Sequence, residues 1–86
     1  MASALGAGNE EKYVNAFVEG LDIEPEEVTD DLEYGSRIEW DSVAHLQLIN
    51  EFEEAFGISI ETDDVIAIMS VAKGRVILAK YGVTFD

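Results

Sequence analysis

The sequence predicts an all-α protein, a small four-helix bundle of three longer helices and one short helix with a long first loop. Three observations predict it. Apolar residues recur at helical spacing in separate segments, start and stop residues bracket those segments, and the one alternating stretch, Ile58-Ser59-Ile60-Glu61, finds no second strand to pair with.

The first helix is expected from about Asn9 to Gly20, where Tyr13, Phe17, Val18 and Leu21 mark an inward stripe and Asn9 is placed to cap Glu10 and Glu11. Periodicity then lapses through an acidic connector to Asp41. In it Ile23, Val28, Leu32, Tyr34, Ile38 and Trp40 read as apolar pegs, separated by Pro25, Gly35 and charges, that pack across the ends of the bundle. The strongest helix runs from Ser42 to about Phe56. Leu46, Ile49, Phe52 and Phe56 are its expected inward stripe, with His45, Gln47, Asn50, Glu53 and Glu54 outward and Gly57 as its stop. Ile58–Glu61 reads as an extended link. Thr62 then caps a brief third helix from Asp63 to about Ala67, with acids in its first turn. Ser70 caps the last helix, in which Val71, Ile77, Leu78 and Tyr81 face inward, Lys80 lies near the end and Gly82 terminates it.

Eighty-six residues make one domain, expected over 9–86, after a disordered lead-in at 1–8. A hydrophobic share of 48% is enough to drive folding despite a formal charge of −14. Nineteen Asp and Glu stand against five Lys and Arg, and every acid but Asp86 lies between Glu10 and Asp64. That field repels nucleic acid and attracts proteins with basic docking surfaces, an attraction that salt weakens. The chain has no cysteine, so any thiol it uses comes from elsewhere, and a reducing cytoplasm is the expected location. Residues 1–8 have neither a basic region nor an apolar run, and no stretch has the length of a bilayer span, so no membrane role is expected.

Asp41-Ser42 opens the strongest helix. Asp and Ser are favoured caps, and capping alone accounts for the pair. A helix N-terminus also offers unpaired N–H groups and partial positive charge, which favour a phosphodiester on a serine there even in an acidic protein. Asp30, Asp31 and Glu33 invite a calcium reading, but an EF-hand loop needs oxygen ligands where Leu32 and Tyr34 stand, and no metal site is expected. Ser42 and His45 lie one turn apart, yet there is no Gly-x-Ser-x-Gly elbow and no supported triad, so a minimal hydrolase is disfavoured. His45 is expected to face solvent, and Trp40 to lie in the core as a lid.

The segment Glu39-Trp40-Asp41-Ser42-Val43-Ala44-His45-Leu46-Gln47-Leu48-Ile49, followed by Phe52-Glu53-Glu54-Ala55-Phe56-Gly57-Ile58, resembles the phosphopantetheine-attachment segment of acyl carrier proteins. Asp30-Asp31-Leu32 resembles the family's acidic approach to the site, and Ile60 to Tyr81 its short third and long fourth helices. The resemblance implies a covalent 4'-phosphopantetheine on Ser42, with Asp41 capping the helix and assisting the metal site of the modifying enzyme. It makes Val43, Gln47, Asn50, Glu53 and Glu54 a docking face. It also implies a non-catalytic, monomeric carrier that holds acyl or aminoacyl groups as thioesters. Its partners would be a phosphopantetheinyl transferase and a loading ligase, synthase or transferase with a basic docking surface. The family usually has Leu after the serine and more acids early on this helix; Val43, His45 and Gln47 depart from that and point to a stand-alone carrier of a specialised pathway. The alternative is an acidic adaptor or inhibitor that keeps the fold without the arm.

Overall fold

A computed structural model of the chain describes residues 6–85. Four α-helices follow one another: α1 (Gly6–Leu21), α2 (Ser42–Phe56), α3 (Thr62–Ala67) and α4 (Val71–Ala79). Among the described residues there is no strand, only an isolated bridge between Glu33 and Ser70. The expected bundle of three longer helices and one short one, with a long first connection, is the observed architecture.

The helix ends show where local chemistry ruled and where it was overridden. α1 begins at Gly6, so Gly6, Ala7 and Gly8, expected to lie in a disordered lead-in, are helical. The remainder of that lead-in, 1–5, lies outside the described residues, as does Asp86. Asn9 is therefore inside the helix and caps nothing; its Nδ2 donates instead to the Thr84 carbonyl at 2.9 Å, tying α1 to the segment after α4. α2 ends as expected, with Gly57 in the left-handed region at φ 65°. α3 starts one residue early, with Glu61 at the cap position and Thr62 already helical. Ser70 caps α4, its Oγ accepting from the Lys73 N–H at 3.0 Å.

α1 and α2 form the main helix pair. Tyr13 stacks on Phe52 at 5.3 Å between centroids, and Phe17 meets both Phe52 and Trp40 edge-on. Trp40, Leu48, Ile68, Val71 and Leu78 complete the fully buried centre. Trp40 is the core lid that the sequence suggested, with no exposed surface. The connector is less uniform than expected. Ile23 and Leu32 are buried, and Tyr34, 38% exposed, packs edge-on against Trp40 and His45, but Ile38 is 89% exposed and is not a peg. Pro25–Glu27 forms a turn of 3-10 helix that periodicity cannot reveal, because three residues carry no period. Arg75 of α4 clasps the assembly, pairing with Glu10 of α1 and Asp30 of the connector at 2.6 Å each while its guanidinium lies over the Tyr13 ring.

Candidate functional site

The head of α2 is built by Asp41. Its backbone is extended, its Oδ1 accepts from the Ala44 N–H at 2.9 Å, and its carbonyl accepts from His45 N–H at 2.8 Å. Asp41 spends its carboxylate on one orphan amide of the first turn, while the N–H groups of Ser42 and Val43 have no intrahelical acceptor. Ser42, the first helical residue, is exposed. An exposed hydroxyl at the positive end of a helix can accept a covalently joined phosphate without further charge from the protein.

Ser42 also lines an apolar groove of about 280 Å³ between α2 and α3. His45 and Leu46 supply one side, Val65 and Ile66 the other, with Tyr34 and Met69 completing it. The groove exists because α2 turns a different face inward than apolarity alone suggests. Residues on a helix are about 100° apart, and a core face centred on Leu48, Ile49 and Phe52 takes in His45 while leaving Leu46 out. Leu46 is 65% exposed and His45 only 6%, the reverse of what was expected for both.

The burial of His45 has a physical cause. Its Nδ1 accepts from the Trp40 indole N–H at 3.0 Å, and its Nε2 lies 2.8 Å from the Val65 carbonyl oxygen. An indole can only donate and a carbonyl can only accept, so the ring is neutral with its proton on Nε2. Both nitrogens are satisfied, which is what lets an imidazole sit in a core. Neither is left for Ser42, so the two do not form a nucleophile–base pair. The signal was present in the sequence: a tryptophan destined for the core needs an acceptor for its N–H, and the only histidine lies five residues on.

On the outward side of α2, Val43 is 66% exposed and Gln47, Asn50 and Glu54 are exposed as well. Glu53 is different. It is half-buried and its Oε2 accepts from the Ile60 N–H at 2.9 Å, holding the link to α3. The part of α2 nearest Ser42 thus presents Val43, Leu46, Gln47 and Asn50, with no acid among them, and the negative charge lies around it.

α3 is the other wall. Its Asp64 accepts from Lys80 Nζ at 2.8 Å and from the Tyr81 hydroxyl, and that hydroxyl accepts in turn from Glu61 N–H. The Lys80 ammonium first, and then the Tyr81 hydroxyl, hold the Asp64 carboxyl below its usual range, while Asp64 raises both partners. Among the described residues, no three His, Cys, Asp or Glu side chains gather as a metal site, and no helix is long and apolar enough to cross a membrane.

A family model described as a phosphopantetheine attachment site matches residues 14–73, which include Asp41, Ser42 and both walls of the groove. No curated protein and no solved structure gives a significant match.

Proposed function

Because this chain belongs to the phosphopantetheine-attachment family, that of the acyl carrier proteins, and such a chain carries 4'-phosphopantetheine covalently, we propose that Ser42 is the attachment point. The observation that carries this reading is the position of Ser42: exposed, first in α2, and on the lining of an apolar groove. When attached, the group supplies the thiol that a cysteine-free chain lacks, on which an acyl or aminoacyl cargo is held as a thioester. The residues present suit it. The N–H groups at the head of α2 stabilise the phosphodiester, and the cap by Asp41 keeps that head ordered. The chain itself needs no base, since the modifying enzyme activates the serine.

Membership also implies traffic with a phosphopantetheinyl transferase and with acyl-handling enzymes. We assign the docking to the outward face of α2 through Val43, Gln47, Asn50 and Glu54, with Glu53 acting from behind as a support. Partners with basic rims meet the surrounding acids and bring an apolar centre to Val43, an arrangement suited to fast, weak docking. The carrier works as a substrate of several enzymes, in a specialised pathway. At about 280 Å³ the groove falls just below the range of most ligand pockets, roughly 300–1,000 Å³, and suits no more than a short apolar acyl group.

The test is intact mass after incubation with coenzyme A and a broad-specificity phosphopantetheinyl transferase. The expected result is a gain of one arm, abolished in Ser42→Ala. A gain that survives Ser42→Ala overturns the assignment, and a chain that takes no arm returns the arm-less adaptor reading.

A further inference from the structure

We propose that His45 is the positioning residue that sets the width of the groove beside Ser42, by holding α3 against α2. α3 has no fully buried side chain, and its Val65 and Ala67 are only partly buried against the core, so packing holds it less firmly than the other helices. Its start is clamped to α4 through Asp64, Lys80 and Tyr81. Its next firm point is Ile68, which is fully buried just beyond its end. Between those points lie Val65 and Ile66, the two α3 residues that line the groove. What reaches them from α2 is the His45 Nε2–H donating to the Val65 carbonyl.

The direction of that bond is fixed from the other side of the ring. Trp40 can only donate, so it fixes Nδ1 as an acceptor and places the ring proton where the Val65 carbonyl waits. α3 ends at Ala67, and the Val65 carbonyl belongs to the last turn, whose carbonyls lack intrahelical donors. His45 therefore caps α3 from a neighbouring helix, and the relay from Trp40 through His45 to Val65 joins connector, α2 and α3 in one file. A segment held by polar ties and little burial opens at lower cost than a packed helix. Without the His45 tie, the wall formed by Val65 and Ile66 moves outward while its two ends stay in place.

The consequence for cargo rests on the reading that Ser42 bears the arm; the tie itself does not, and the two are tested apart. In the unmodified chain, His45→Asn leaves an oxygen near the Nδ1 position for Trp40 and removes the donor to Val65. His45→Gln, one methylene longer, leaves an N–H near the Nε2 position and removes the acceptor for Trp40. Amide exchange of Ile66, Ala67 and Ile68 is expected to quicken roughly five- to tenfold in the Asn variant relative to the Gln variant, the worth of one hydrogen bond. Exchange at Phe17 and Phe52 is expected to be alike in both. Equal α3 exchange in the two variants, or acceleration spread evenly over α1 and α2, overturns the proposal. The wild-type ring supplies a check independent of variant folding. Its nitrogen shifts are expected to show the proton on Nε2, and a proton on Nδ1 overturns the relay. With butyryl-phosphopantetheine loaded from butyryl-coenzyme A, hydroxylamine is expected to cleave the thioester several-fold faster in His45→Asn than in His45→Gln. Equal cleavage overturns the role in groove width.

Discussion

Gly20 of α1 meets the backbone of Leu48 in α2, so closely that a Cβ on the glycine would stand 2.9 Å from the Leu48 Cα. Alanine is the better helix former by about 1 kcal/mol, and on an open helix Gly20→Ala would stabilise. Here the atom it meets is main chain and cannot step aside, so the helices must separate and loosen the contacts around Phe17, Leu48 and Phe52. We expect a net loss of about 1–2 kcal/mol, read as a lower urea midpoint with an unchanged slope. A raised midpoint would show that the helix pair can part without cost.

Asp41 has two duties that substitution separates. Asn caps a helix about as well as Asp, so Asp41→Asn is expected to keep stability within about 0.5 kcal/mol, whereas Asp41→Ala loses about 1 kcal/mol. If the carboxylate also assists the metal site of the modifying enzyme, both variants take the arm several-fold more slowly. Arm transfer to Asp41→Asn at the wild-type rate would confine Asp41 to capping.

Glu53 and Glu54 are neighbours in sequence with opposite duties. Removing the Glu53 carboxylate frees the Ile60 N–H it accepts from, so Glu53→Ala is expected to cost about 1 kcal/mol. Glu54 is exposed, so Glu54→Ala leaves the melting temperature unchanged and Glu54→Lys slows arm transfer in low salt. Thermal melts and initial rates of transfer check both, and a destabilised Glu54→Ala would refute the division.

The clamp on α3 makes stability depend on acid. The Asp64 carboxyl titrates below its unfolded range because Lys80 and Tyr81 donate to it. Its contribution is complete above the unfolded value, about 4, and is lost as pH falls through the lower folded value. The stability gap between wild type and Asp64→Asn should therefore be widest near neutral pH and close below about pH 4. Urea midpoints across that range measure it, and a gap independent of pH would mean that the charge of Asp64 contributes nothing.

Legibility followed the reach of each signal. Caps and stops are decided within a turn, so Asp41, Gly57 and Ser70 were readable, and with them the exposed position of Ser42 at the head of α2. Trp40 and Phe52 were readable as core because large aromatic surfaces dominate burial. Leu46 and His45 stand opposite to expectation because apolarity does not choose the inward face of α2. The face was set by the crossing with α1, and an imidazole with both nitrogens bonded was admitted to it. The acceptor role of Glu53 is invisible in the sequence because it depends on Ile60, seven residues away across a link with no periodicity. Ile38 misled for a simpler reason: a single apolar residue in an irregular stretch has no partner position to confirm which way it points.

The lack of fully buried side chains in α3 has an evolutionary corollary. Substitutions at Val65 or Ile66 alter the lining beside Ser42 while leaving the aromatic centre between α1 and α2 untouched. A lineage, or a protein engineer, is therefore free to reshape the groove at its exposed wall residue Ile66 at little thermodynamic risk, as long as Asp64 keeps its clamp and the histidine beneath keeps its two hydrogen bonds.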